Sequence, residues 1–230
     1  MPELRSSQAV YEEVLDDAVG EQTRWLDIGC GYQVLPAWRD VQERELVSRA
    51  ALVVGVDADA GSLRRHRSIG NLTLASIGKL PFAASCFDLV TANMVVEHLA
   101  EPAAQLGEIH RVLRPGGRFV FHTPNADGYT TRIARLLPER VKAPLARLLE
   151  GRKSDEVFPT HYRANTANAI VQLAAETGFD VEDLNHVATG AQFAVILPLA
   201  IMELAWIRLL MNARAARWRQ TLIAILRRRD

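Results

Sequence analysis

The amino-acid sequence predicts an open α/β fold built on a mostly parallel sheet, and three stretches carry that prediction. At Thr23–Gly31 (TRWLDIGCG) a short apolar run leads into Asp27 and two closely spaced glycines, Gly29 and Gly31. That is the expected form of a buried strand ending at the sheet edge where ligands bind in open α/β folds. Glycines at alternate positions let the backbone turn tightly and approach a ligand, because no Cβ intervenes. At Ala51–Val56 a second apolar run is continuous rather than alternating, which suits a parallel strand covered on both faces. Leu35–Val47 between them can form a helix, so the unit reads strand, glycine turn, helix, strand, and it closes on Asp57. An acid at the tip of the second strand is where ribose hydroxyls are held in nucleotide-binding sheets.

A dinucleotide site of the G-x-G-x-x-G kind would place a third glycine where Val34 stands. The D-x-G-x-G pattern instead resembles the S-adenosylmethionine (SAM) site of class I methyltransferases, and the resemblance extends over residues 23–124. Lys79–Phe82 followed by Phe87–Leu89 (KLPF, FDL) resembles the entry to that family's fourth strand. Val96–Leu99 (VEHL) resembles the start of the next helix, and Val112–Gly117 (VLRPGG) the turn before the fifth strand, Arg118–His122. The resemblance implies a Rossmann-like class I methyltransferase fold: a mostly parallel seven-stranded sheet with helices on both faces. It further implies SAM as cofactor and methyl transfer as activity, without naming an acceptor.

The chain has 230 residues, 49% hydrophobic and 23% charged, enough for one sizeable core. We expect one domain over 1–230, with a SAM-binding core at 23–124, an acceptor cap inserted after strand 5 at 126–163 and a helical insertion before strand 7 at 197–217. Formal charge is zero, which argues against a general nucleic-acid binder. Residues 1–124 hold 12 Lys/Arg against 16 Asp/Glu, and 125–230 hold 15 against 11, so the positive excess lies outside the cofactor core. Only Cys30 and Cys86 are present, which makes a disulfide framework unexpected and a reducing compartment the default. The N-terminus lacks an apolar signal core, so we expect no export and a cytoplasmic protein.

Residues 8–20 read as an amphipathic helix with Val10, Val14 and Leu15 on one side. Such a helix covers a sheet edge or, in the resembling family, helps close the site, where Tyr11 would contribute. Asp27 either orients the glycine loop and holds the cofactor's ammonium through water, or caps the turn through backbone N–H groups. Asp57 can accept both ribose hydroxyls, because an ionised carboxylate offers two acceptor oxygens, and the resemblance places Ala58 beside it on the cofactor. Asp59 is an N-cap for a helix at Ala60–His66. Along the third strand, Leu72–Ile77, the family usually has an acid where Ser76 stands, to hold the adenine amino group; Ser76 is neutral, and Ile77 beside it can pack on the ring. Charge-assisted hydrogen bonds are about twice as strong as neutral ones, so this departure predicts modest SAM affinity or a degenerate enzyme. At the end of the fourth strand, Phe87–Asn93, backbone carbonyls of Asn93 and Met94 would face the positive sulfur.

Glu97 and His98 open the following helix, and Pro102–Leu113 is a second helix that stops before Pro115-Gly116-Gly117. After His122 a long excursion leaves the ligand edge. Between 130 and 153 it carries seven Lys/Arg and two Glu, reading as two short basic amphipathic helices over an acceptor pocket. His161 and Tyr162 close it; a histidine can remove a proton near neutral pH, and His161, His122 and His98 are the candidate bases. No metal-ligand spacing appears, so we expect a metal-independent reaction. A helix at Ala167–Thr177 and a sixth strand at Phe179–Val187 follow. Gln192–Met211 is strongly apolar but interrupted by Glu203 and Arg208, too broken for a membrane span. It predicts a helix at Leu199–Ala216 that covers the sheet, lies on a bilayer surface or forms a dimer face. A seventh, antiparallel strand at Thr221–Leu226 precedes Arg227-Arg228-Arg229, expected in solvent.

The predicted function is SAM-dependent methyl transfer to a small-molecule or lipid- or glycan-linked acceptor. The rival readings are a noncatalytic relative working as an interaction or membrane-surface module, and a nicotinamide oxidoreductase.

Overall fold

Each of the two apolar runs forms a central parallel strand. The computed structural model describes residues 5–136, 159–190 and 197–230. Its strands are β1 (Arg24–Ile28), β2 (Leu52–Asp57), β3 (Asn71–Leu74), β4 (Phe87–Asn93), β5 (Leu113–Pro124), β6 (Phe179–Val187) and β7 (Thr221–Arg228). They form one seven-stranded sheet in the order β3-β2-β1-β4-β5-β7-β6. β1 to β5 pair in parallel, while β7 runs antiparallel to both β5 and β6. The order reverses between β1 and β4, which opens a crevice at their carboxyl ends.

Among the described residues the helices are α1 (Ser7–Ala18), α2 (Asp40–Arg49), α3 (Ala60–Arg64), α4 (Pro102–Val112), α5 (Tyr129–Leu136), α6 (Ala167–Glu176) and α7 (Leu197–Leu210). On one face of the sheet Tyr11 and Leu15 of α1 and Leu46 of α2 pack with Trp25, Val53 and Val120. On the other, Leu106 and Ile109 of α4 and Ile170 of α6 pack with Leu26, Val90, Phe119 and Phe121. Ser6 caps α1 by accepting from Ala9 N–H, Asp59 caps α3 from Gly61 and Ser62, and Thr166 caps α6 from Ala169.

Several boundaries differ from expectation for identifiable reasons. β3 stops at Leu74, because Ser76 enters a turn closed by Lys79 N–H on its carbonyl. β5 starts at Leu113 rather than Arg118; pairing steps from Phe87↔Leu113 to Leu89↔Arg118, so the glycine turn is a bulge inside the strand. The helix expected over Leu35–Val47 is a short 3₁₀ turn, Ala37–Arg39, followed by α2. Glu97 and His98 lie in a 3₁₀ turn, Val96–His98, separate from α4. The apolar helix begins at Leu197 and ends at Leu210, with a 3₁₀ stretch at Ala213–Trp218 completing the insertion before β7. The C-terminal arginines are not a solvated tail. Arg227 and Arg228 belong to β7, Arg228 donates to the Leu113 carbonyl and to Ser85 Oγ, and Arg229 pairs with Asp180 at 2.7 Å. Of the expected cap at 126–163, α5 and residues from 159 onward are described; the second basic helix lies outside the described residues.

Candidate active site

The D-x-G-x-G turn follows from two glycines with different reasons to be glycine. Gly29 has φ +65° and a Cβ there would lie 2.4 Å from Val95 Cγ2; Gly31 has φ +56° and a Cβ would meet nothing within 4 Å. Gly29 is therefore required by packing as well as conformation, whereas Gly31 faces open space above the carboxyl ends of the strands.

The two carboxylates divide the roles that sequence left open. Asp57, half-buried at the end of β2, accepts from Gly31 N–H and Asp59 N–H, both at 2.8 Å, one on each oxygen. The turn cap is thus Asp57 and not Asp27. Each Asp57 oxygen retains a further lone pair, so the group can bridge the glycine loop and still accept from a vicinal diol. Asp27 is buried and sits opposite Thr91 in the β1–β4 register. Trp25 Nε1 donates to Thr91 Oγ1 at 2.6 Å, and Thr91 Oγ1 donates to Asp27 Oδ1 at 2.5 Å. Burial raises the Asp27 carboxyl to about 7, the Thr91 hydrogen bond opposes that, and Glu43 and Asp57 add to it. A buried carboxylate at the head of a glycine loop is suited to an approaching ammonium.

The remaining predicted contacts are distributed around the same edge. Ala58 and Ser76 are exposed; Ser76 Oγ lies 3.4 Å from Gly78 N–H, a long contact that leaves the hydroxyl available. Ile77 packs against the core from its partly buried position. Met94 is 38% exposed and holds φ +56°, a strained conformation for a side-chain-bearing residue, with its N–H on the His122 carbonyl at 2.8 Å.

His122 and Asn93 are register partners at the ends of β5 and β4, and they organise a polar cluster under α1. Asn93 Nδ2 donates to Gln8 Oε1 at 3.2 Å, and His122 Nδ1 lies 2.9 Å from Asn93 Oδ1. With the Asn93 amide assigned this way, Nδ1 carries the proton and Nε2 keeps a lone pair. Burial lowers the His122 ring to about 4, so it is neutral at pH 7. Tyr11 stacks on it with ring centroids 5.6 Å apart. Gln8 Nε2 and His122 Nε2 are buried and lack a hydrogen-bond partner, and the buried Tyr11 hydroxyl makes no well-aligned hydrogen bond although it lies beside Thr91 and Asp27. Buried polar atoms are overwhelmingly paired, so these atoms on contiguous side chains mark a place for polar atoms of a ligand.

The other two candidate histidines are placed differently. His98 Nδ1 lies 3.0 Å from the Pro159 carbonyl, a contact that holds the returning chain. His161 is exposed, with its backbone N–H on the Glu97 carbonyl at 2.7 Å. Glu97 itself is buried and accepts from Thr123 Oγ1 at 3.0 Å, and Asn165 donates to the same hydroxyl at 2.6 Å. Sequence reasoning missed Gln8, Thr91 and Asn165, whose roles depend on cross-strand register and on α1 folding over the edge. Among the described residues no group of three His, Cys, Asp or Glu side chains is gathered as a metal site would require.

Comparison with known proteins points the same way. Residues 26–121 match the family model described as methyltransferase domain. A protein of Mycolicibacterium smegmatis named a probable SAM-dependent methyltransferase is 28% identical over 83% of this chain and 64% of its own length. A demethylmenaquinone methyltransferase of Corynebacterium kroppenstedtii is 36% identical over 56% of each chain. The crystal structure of a SAM-dependent methyltransferase from Mesorhizobium loti superposes with a TM-score of 0.57 at 20% identity, covering 94% of this chain and 96% of that one. The chain spans between 36% and 64% of the length of the first curated relatives it matches.

Proposed function

We propose that this chain, whose residues 26–121 match a methyltransferase-domain family model, is a class I SAM-dependent methyltransferase that transfers a methyl group from SAM to an oxygen nucleophile on a small molecule, lipid- or glycan-linked acceptors included. The observation that carries this reading is the convergence at one sheet edge of the glycine turn, Asp57 and the buried polar cluster of Gln8, Tyr11 and His122. The likeness to a demethylmenaquinone methyltransferase makes a quinone-type small molecule one acceptor class to test, with ring carbon as well as oxygen as the atom methylated.

The residues present fit the cofactor. Gly31 leaves open space where a Cβ would project, Asp57 offers two acceptor oxygens to a ribose diol, and Asp27 offers a carboxyl to an ammonium. Ser76 and Ile77 would meet the adenine, and the Asn93 and Met94 backbone the sulfonium end. Bound SAM supplies a methyl group activated by a positive sulfur. Gln8 Nε2 donates to the acceptor oxygen and orients it, with Tyr11 Oη as a second polar contact. As that oxygen is alkylated its proton becomes acidic and passes to His122 Nε2, which the neutral ring leaves free to receive it. Asn93 fixes the tautomer that makes this possible. In this reading no metal takes part, and much of the acceleration comes from holding the reacting groups at near-attack distance.

The test is calorimetric titration of the protein with SAM and its demethylated product. Saturable one-to-one binding, lost in Asp57→Ala and kept in His122→Ala, is the expected result, with kcat in His122→Ala reduced on the order of 10²-fold or more. Absence of binding by the unaltered protein would overturn the enzyme reading in favour of a noncatalytic module.

A further inference from the structure

Helix α7 is attached to the domain by a narrow stripe. Glu203, Ile207 and Leu210 are buried, one position per turn, and Tyr129 Oη donates to Glu203 Oε1 at 2.7 Å. Six large apolar side chains of the helix face outward: Leu197 is 74% exposed, Met202 67%, Leu209 63%, and Ile201, Leu204 and Trp206 are exposed as well. An apolar surface of this extent on a folded domain marks an interaction site.

Charge identifies what it meets. Arg208, Arg214 and Arg217 are exposed on α7 and on the 3₁₀ stretch after it, and Arg132 and Arg135 are exposed on the adjoining α5. Arg132 and Arg217 both lie over the Trp218 ring, at 4.4 and 5.0 Å, which gathers α5 and the 3₁₀ stretch into one rim. The only acid within Tyr129–Leu136 and 197–219 is Glu203, and it is buried. Asp127, just before α5, pairs with Arg132 at 3.0 Å; beyond that pair, two copies facing each other through this surface would set a cationic rim against itself, with no exposed acid on α5, α7 or the 3₁₀ stretch to relieve it. A plane with an apolar interior and an anionic surface satisfies both halves of the pattern. Fourteen residues of helix extend only about 21 Å, and no described helix is long and apolar enough to cross a membrane, so α7 can lie on a bilayer but not span it.

We propose that α7, with the arginine rim from α5 and the 3₁₀ stretch, is a docking surface for anionic phospholipid bilayers. The insertion that carries it ends at Thr221, which pairs with Pro124 at the carboxyl end of β5, so the bilayer lies at the same sheet edge as the candidate active site. This surface goes beyond the methyl-transfer reading and stands whether or not that reading holds.

The experiment is co-sedimentation with vesicles of phosphatidylcholine alone and of phosphatidylcholine with about a third phosphatidylglycerol, at low and at about 0.5 M salt. Retention on the anionic vesicles is expected, weakened by salt, and reduced at least tenfold in Met202→Glu/Leu209→Glu and, separately, in Arg214→Glu/Arg217→Glu. All four positions are exposed, so melting temperature and SAM titration should match the unaltered protein in both variants. Binding through Trp206 should also shift its fluorescence to shorter wavelength, a change lost in Trp206→Phe. Failure of the unaltered protein to sediment with anionic vesicles would overturn the proposal. So would binding by both double variants equal to that of the unaltered protein, or light scattering showing a dimer that Met202→Glu/Leu209→Glu converts to a monomer.

Discussion

Gly29 and Gly31 share a left-handed conformation yet should fail differently when substituted. Gly31→Ala adds only the strain of that conformation, about 1–2 kcal/mol, because no atom lies within 4 Å of the new Cβ. Its methyl group would project into the open space of the proposed SAM site, so denaturant unfolding should show a small loss while SAM titration shows a large one. Gly29→Ala also drives a Cβ to 2.4 Å from Val95 and should cost at least about 3 kcal/mol, measured by the same unfolding curve. Asp27 gives a pH dependence. Its carboxyl rises from 3.8 to about 7, so the native state holds its proton over a range where the unfolded chain has lost it. The stability linked to that proton is full below about pH 4 and is lost as pH rises through 7. Asp27→Asn should therefore stabilise the fold more at pH 8 than at pH 5, by a difference in unfolding free energy on the order of 2 kcal/mol, read from denaturant curves at the two pH values, while weakening SAM binding. His122, lowered from 6.5 to about 4, acts in the opposite window: its contribution is lost as pH falls from about 6.5 towards 4. Asp57 was legible in the sequence because an acid after a continuous apolar run is a local signal. Thr91 was not, since its partnership with Asp27 exists only in the register of β4 on β1.

Among the elements, those with a simple hydrophobic period were legible and those set by neighbours were not. β4 and β6 matched expectation at both ends, and α1, α4 and α6 to within about two residues. β5 was read as too short because a bulge looks like a terminator in one dimension, although Leu113 already pairs with Phe87 before the chain loops out and resumes at Arg118. For α7, composition revealed an apolar helix but not which side is covered. The covering side is set by Tyr129, whose hydroxyl donates to Glu203 and accepts from Gln220 Nε2 at 2.9 Å. Burial, followed by the Glu203 contact, raises the Tyr129 hydroxyl well above its usual range, which keeps it protonated as the donor. Tyr129→Phe removes both bonds in a buried setting and should cost about 1–3 kcal/mol. Hydrogen exchange should localise the effect, with α7 amides losing protection while those of β1 and β4 keep theirs.

At the scale of the whole molecule, the resemblance drawn from short motifs covered β1 to β5, five of the seven strands, and the topology confirms a class I arrangement. The remaining part of the sheet depends on β7, which lies between β5 and β6 and is antiparallel to both. Removing residues 221–230 would strip the hydrogen-bonded ladder from two strands at once. Such a truncation should fail to give a cooperative melting transition, whereas removal of Asp230 alone should leave the transition unchanged.

That placement has a kinetic side. β5 and β6 are both complete before β7 is made, and neither is the other's neighbour, so during synthesis each presents an open edge with Phe119, Val120 or Val181 beside it. Sheet closure across that gap joins residues far apart in sequence and comes late. An open apolar edge held for that interval is the form of the chain most exposed to misassociation. Arg227 and Arg228, at the last positions of the closing strand, put positive charge on the segment that must find the gap, and that charge disfavours its pairing with another copy of itself.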